Sequence, residues 1–451
     1  MKAAVQDKTP AVEIISLGCA KNFVDTEIAA ASLLTQGFAL VADEAEADIK
    51  FINTCAFLAV ARKEVEEHLR HAKAWKKRSK SRKIIIGGCI VSWDKDGSFR
   101  AAHPEVDAWC GICSVEEIGS IAAAVWTDTA YDVPERTAYI HTSKTPRLQL
   151  TPPHYAYLKI ADGCDNRCTY CKIPDIRGSL HSRTVADVVK EAKDLLSGGV
   201  RELIVIAQDT AAFGRDLTGT PKLAELLKKL DALKGTFLIR LMYLHPASVT
   251  DELIGVMNSC KHLIRCIEMP LQHISSRILA AMHRRADGTR TREVVSKLQQ
   301  QGFAIRTTFM VGFPGETEED FKELLSYVKE TGFTRLGTFT YSREAGVPAA
   351  EMPDQIPAKT ANRRLRLLME AQAEISLRAN QQLTGQTVDV IIDELLPRGK
   401  ALGRMFTDAP EIDNTVVIRG IDKKRHNCGD FIRVRVESAD EYEIQGCVVT
   451  A

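Results

Sequence analysis

The chain has 451 residues, 45% apolar and 26% charged, with a net charge of +1. Its length predicts about three domains, each with its own core, and its charge balance excludes a whole-surface attraction to nucleic acid or anionic membrane. The opening MKAAVQDKTP carries no basic-then-apolar leader and no run nears the roughly 18 apolar residues of a membrane span, so a cytoplasmic chain without a membrane partner is expected.

Residues 11–125 alternate strand and helix patterns. Strands are predicted at VEIISLGC (12–19), ADIKFINTC (47–55) and KIIIGGC (83–89), with helical spacing over 20–37 and 56–78 between them. Such alternation implies an open parallel α/β sheet with right-handed crossovers. Residues 126–154 gather Pro and Thr and lose the rhythm, which suggests a linker with a β-ribbon.

From Tyr155 the alternation resumes through six strand candidates: YAYLKIA, RELIVIA, TFLIRLMY, LIRCIEM, AIRTTFMVG and RLGTFTY. Helical segments closed by glycine, such as 184–199 and 317–332, separate them. Six β/α units over 155–382 predict a partial (β/α)6 barrel rather than the eight units of a full one. A charged helix over about 358–383 follows. Residues 383–451 then break into five short alternating strands with turn residues between them, the pattern of a small antiparallel β-barrel of OB-like type.

Twelve cysteines in this length are too sparse for a disulfide framework, so their placement matters more than their number. Cys19, Cys55 and Cys89 each end a predicted parallel strand. The carboxyl ends of such strands share one edge, where sites form, so the topology would deliver three thiols to one metal centre. A buried cysteine is also a common small hydrophobe, and only the repetition at equivalent positions favours a site.

A second trio lies in GCDNRCTYC, directly after the first barrel strand: Cys164, Cys168 and Cys171, spaced C-x3-C-x2-C. A zinc ribbon wants a second C-x2-C pair at comparable spacing, and none follows. Three thiolates on a 4Fe–4S cube leave one iron open to an exogenous chelator.

C-x3-C-x2-C with Tyr170 before the last cysteine, opening a β/α barrel, resembles the radical S-adenosylmethionine superfamily. The resemblance implies that the amino and carboxylate groups of the cofactor take the open iron and that one electron releases a 5′-deoxyadenosyl radical. It further implies a cofactor pocket at the strand ends, with Tyr170, Gln208 and Asp209 in IAQDT, Gln272 and His273 in MPLQH, and Gly312 in the VGFPGET turn.

SLGCAKNFVDTE, INTCAF, GGC, GCDNRCTYCKIPDIRG, MPLQH and VGFPGETEEDF together resemble the methylthiotransferase family. That implies a first domain over 11–125 with an auxiliary 4Fe–4S cluster on Cys19, Cys55 and Cys89. A linker (126–154), a radical core (155–382) and a TRAM barrel (383–451) would follow. The implied reaction converts C–H to C–S–CH3, with S-adenosylmethionine as both radical source and methyl donor. The tail GRMFTDAPEIDNTVVIRG and the stretch TYSREAGVPAAEMPDQIP are closer to the branch that modifies an aspartate β-carbon of small-subunit ribosomal protein S twelve. The alternative is the MiaB-type branch, which modifies isopentenyl-adenosine in tRNA. Ala20 replaces the proline expected in SLGCPKN.

Residues 383–451 hold 12 Asp and Glu against 9 Lys and Arg, a balance that suits a basic protein partner better than tRNA. The basic run 70–83 suggests either a solvated helix end or contact with ribosomal RNA. An electron donor such as flavodoxin or ferredoxin is implied by the chemistry. WCGIC (109–113) resembles a thioredoxin motif but is read as a chance pair, Cys110 and Cys113. A non-enzymatic zinc or electron-transfer protein is the contrasting reading.

Overall fold

The computed structural model describes residues 9–132 and 138–449. They form two compact units. One runs to Leu150 and takes in Ala161–Asp165 and Cys171–Arg183; the other takes Thr151–Ile160, Asn166–Tyr170 and the chain from Thr184 onward.

In the first unit, β1 (Ala11–Ser16), β2 (Ala39–Val41), β3 (Ile49–Thr54), β4 (Lys83–Gly88) and β5 (Ala108–Cys110) make a wholly parallel sheet ordered β2-β1-β3-β4-β5. β2 and β5 add to the three strands expected. At three residues each they are too short to show a period in sequence. β3 is central and every residue is buried, which is why it reads as a continuous apolar run around Lys50 and Asn53. Lys50 is tolerated because Glu13 and Glu44 neutralise it at 2.9 and 2.7 Å. Helix Ala59–Lys76 buries Val65, Leu69, Ala72 and Trp75 along one face against this sheet. No strand occurs among the described residues of 126–154, so the expected ribbon is absent there.

In the second unit, β6 (Tyr155–Lys159) is separated by the small hairpin of β7 (Ala161–Asp162) and β8 (His181–Ser182) from β9 (Glu202–Ile206). The hairpin itself belongs to the first unit. β10 (Leu238–Leu241), β11 (Leu263–Glu268), β12 (Ala304–Val311) and β13 (Arg335–Thr340) complete a six-stranded parallel sheet ordered as in the chain. These are the six strands anticipated, and sequential order with unpaired ends is the partial barrel.

β14 (Thr387–Leu396), β15 (Lys400–Met405), β16 (Thr415–Arg419), β17 (Phe431–Ala439) and β18 (Glu443–Val448) close into a barrel around Val390, Ile392, Val416, Ile418, Val434, Val436 and Ile444. It is not wholly antiparallel: β16 pairs with β18 in parallel, the seam that closure imposes once β17 has crossed over. The β15–β16 loop (406–414) reaches the core strands. Asp408 meets Arg335 at 2.5 Å, Asp413 meets Arg306 at 3.0 Å, and Arg240 donates to the carbonyls of Phe406 and Asp408. Among the described residues no helix is long and apolar enough to cross a membrane.

Candidate metal and cofactor centre

Cys19, Cys55 and Cys89 follow β1, β3 and β4, each within three residues of its strand's end. Local geometry brings them together. Gly18 has φ +99°, and a Cβ there would lie 2.8 Å from Cys55 Cβ; Gly88 has φ +92°, and a Cβ would strike Asn53 Oδ1 at 2.3 Å. Only glycine lets the β1 and β4 chains pass this close to the end of β3. Side chains fix the loops: Asn22 donates to the Leu17 carbonyl at 2.6 Å, Asn53 to the Asn22 carbonyl at 2.9 Å, and Thr54 Oγ1 to the Gly87 carbonyl at 2.6 Å.

The three thiols feel one another. Burial pushes Cys89 up to about 12, with the neighbouring Cys19 and Cys55 adding to it against the opposing charge of Arg177. Burial and Cys19 raise Cys55 as well. Cys19 is surface-accessible in part, yet its sulfur is crowded. Desolvation there is outweighed by Lys21, Arg177 and the backbone N–H groups of Asn22 and Lys21, which hold it below its ordinary value. Arg177 is the buried cation common to all three. It donates to Cys89 Sγ at 3.4 Å, to Asp25 at 2.9 Å and to Asp162 at 2.7 Å.

The second trio sits in the loop between β7 and β8 and their neighbours. Cys164 and Cys171 fall in the first unit and Cys168 with Tyr170 in the second. The entry and exit of the loop are tied in the first unit: Cys164 N donates to the Gly178 carbonyl at 3.1 Å and Leu180 N to Asp165 at 3.0 Å. In the second unit Thr169 N donates to the Met282 carbonyl at 3.1 Å, and the Thr169 carbonyl accepts from Ala349 N at 2.9 Å. Burial disfavours the charge of Arg284, but Tyr170 and Cys168 beside it hold its pKa up.

At the strand ends of the second unit, Asp209 follows β9, 2% exposed, and accepts from Asn166 Nδ2 at 2.9 Å. Its other oxygen is buried without a hydrogen-bond partner, and burial raises its pKa against the pull of Asn166, Arg285 and Arg284. Gln208 beside it is half-buried. Gln272 lies after β11 at φ +71°, in the strained left-handed region, with its buried Oε1 also unpartnered. His273 is fully buried, 4.0 Å from Glu316. Glu316 accepts from the N–H groups of Gly312 and Phe313, which fixes the turn after β12. Tyr170 packs with Ile278, Met282, Met310 and Phe313. Buried acceptors without donors, beside an aromatic ring and a glycine turn, fit a ligand that brings an ammonium group and an apolar ring.

Sequence reasoning missed Arg177, Asn166, Arg284, Arg285 and Glu316. All but Glu316 act on partners distant in the chain, so no local spacing marks them; Glu316 bonds the turn three and four residues before it, inside VGFPGET. Cys110 ends β5 and Cys113 falls in the short helical turn after it. Burial, with Glu117 and Cys113, pushes Cys110 up to about 12, and its Sγ donates to the Ser114 carbonyl at 3.2 Å, the reverse of an activated thiol. None of the 12 cysteines is in a disulfide. Among the described residues no group of three or more His, Cys, Asp or Glu side chains closes around the position of a single ion.

Three family profiles cover most of the chain: "Uncharacterized protein family UPF0004" matches residues 11–111, "Radical SAM superfamily" 158–328 and "TRAM domain" 384–449. The "Ribosomal protein uS12 methylthiotransferase RimO" of Desulforamulus reducens is 41% identical across 97% of this chain and 99% of its own. The protein of the same name from Elusimicrobium minutum is 41% identical across 96% and 99%, and that from Geobacter sulfurreducens 38% across 97% and 98%. Among solved structures, the radical S-adenosylmethionine methyltransferase TsrM from Kitasatospora setae shares the fold, with TM-score 0.56 and 14% identity over 73% of each chain. Identity near 40% over almost the whole length, together with these three matches in order, decides the family: the chain belongs to the RimO ribosomal protein uS12 methylthiotransferases of the radical SAM superfamily.

Proposed function

We propose that the chain replaces one hydrogen on the β-carbon of an aspartate in ribosomal protein uS12 by S–CH3, a net gain of CH2S. In this reading Cys19, Cys55 and Cys89 hold an auxiliary 4Fe–4S cluster, and Cys164, Cys168 and Cys171 hold the cluster that engages S-adenosylmethionine. When bound, these groups supply the electron, the hydrogen-abstracting radical, the methyl group and the sulfur. A general base would not suffice, because the C–H bond is not acidic.

The protein's residues ligate, orient and exclude water. Asp209 and Gln208 would take the cofactor ammonium, Gln272 and the Gly312 turn would bound its adenosine, and Tyr170, packed with Phe313, would wall the pocket. Arg284 holds Cys168 and Tyr170 in place. The observation that carries this reading is the convergence of three thiols at the end of the parallel sheet, in a chain alike to RimO proteins over its whole length.

A cytoplasmic setting and a flavodoxin- or ferredoxin-type donor complete the reading. Contact with ribosomal RNA finds less support than the run 70–83 suggests. Lys73, Lys76, Arg78 and Lys83 pair with Glu105, Asp107, Glu44 and Asp128, and Arg82 lies over the Trp75 ring. Any such contact falls to Arg70, Lys77 and Lys80.

Anaerobically reconstituted protein tests the assignment with the two cysteine sets. Alanine at Cys19, Cys55 or Cys89 is expected to abolish methylthio transfer to uS12 while reductive release of 5′-deoxyadenosine survives. Alanine at Cys164, Cys168 or Cys171 is expected to abolish both. Methylthio transfer by a variant of the first set would overturn the auxiliary site.

A further inference from the structure

Arg177 stands six residues after Cys171, in the same first-unit segment, yet its guanidinium serves the other trio. Its side chain is 2% exposed. One nitrogen donates to Asp162; the other donates to Asp25, to Asn22 Oδ1 at 3.4 Å and to Cys89 Sγ at 3.4 Å. A lone buried guanidinium facing one carboxylate would be a structural ion pair. Here two carboxylates take the outer donors and aim the remaining N–H at a sulfur. Asn22 and Asp25, on the helix that follows Cys19, complete the socket, so the cation is held by groups adjoining two of the three thiols. A planar fork can meet four partners at once where an ammonium cannot.

Resting on the auxiliary-site reading, we propose that Arg177 is a positioning residue for that site: it hydrogen-bonds the Cys89 thiolate and sets the reduction potential of the cluster held there. Hydrogen bonds to cluster sulfurs and nearby positive charge stabilise the more negative, reduced state and so raise the potential. The gain of one electron involves no bond change, and the electron comes from the external reductant used in the assay. The contact also links the segment bearing Cys171 to Cys89 within one compact unit.

The test uses the full-length chain with Cys164, Cys168 and Cys171 replaced by alanine, so that only the auxiliary site can hold iron. Iron per chain and the midpoint potential are measured by reductive titration followed by electron paramagnetic resonance. Arg177→Gln is expected to keep the cluster and lower its potential by about 60 mV, a tenfold change in a one-electron equilibrium. Arg177→Lys keeps Asp25 and Asp162 neutralised and loses only the fork, so it folds even where the glutamine variant does not, and its potential falls part of the way. Potentials equal to the parent in the folded variants would overturn the proposal. A parent that binds no iron would instead sink the auxiliary site itself, a separable outcome.

Discussion

Gly88 shows how much of the proposed auxiliary site rests on single atoms. A methyl group there meets Asn53 Oδ1 at 2.3 Å and the Thr54 backbone at 2.7 Å, at a φ that L-residues avoid. Gly88→Ala should cost roughly 1–3 kcal/mol of strain and displace Cys89, so iron content after reconstitution should fall toward that of a one-cluster protein. Asp320 offers a pH test at the same scale. Despite burial, Ser275, Thr317 and Arg277 hold its carboxyl down at about 2, below its ordinary 3.8. A depressed folded pKa stabilises fully above the unfolded value and is lost as pH falls through the folded one. The stability lead of the parent over Asp320→Asn, about 1 kcal/mol for the carboxylate three residues inside the Thr317 cap that returns a bond to it, should therefore be flat above pH 4 and vanish toward pH 2 in urea melts. The six thiols proposed as ligands stand out in sequence because strand ends and C-x3-C-x2-C spacing are local signals. Arg177 does not, because its sulfur partner lies 88 residues away.

Helix Ala358–Gln381 and the β15–β16 loop carry the logic of the elements. The helix spans about 36 Å at 1.5 Å per residue. Near its start Arg364 holds Glu316 at 3.3 Å, and near its end Ser376 and Asn380 bond the Glu441 and Asp440 carbonyls of the barrel. It joins the turn after β12 to the TRAM barrel by side chains as well as backbone. The loop does the same from the other direction, placing Asp408, fully buried, against Arg335. Asp408→Ala leaves that guanidinium buried and unpaired, and should destabilise by about 3–5 kcal/mol, read as a lower urea midpoint. The strands of core and barrel were legible from period and turn residues. The parallel β16–β18 seam was not, since each strand alone carries the same alternation whichever way its neighbour runs.

Across the whole molecule, charge is the feature that structure revises most. The acidic excess of the tail suggested a surface suited to a basic partner. Three of its acids face inward instead: Asp408 and Asp413 pair with core arginines, and Asp393 meets His154 and Arg404. Setting these and buried Arg404 aside leaves nine acids against eight bases, so little acidic excess remains on the barrel. The case for a protein substrate therefore rests on likeness to RimO proteins over nearly the whole chain, not on electrostatics. Mass spectrometry of ribosomal protein uS12 and of bulk tRNA, from a strain lacking this chain and from the same strain complemented with it, measures that directly. The account predicts that uS12 loses CH2S from one aspartate in the deletion strain and regains it on complementation, with tRNA unchanged throughout. Unmodified tRNA with intact uS12 would contradict it.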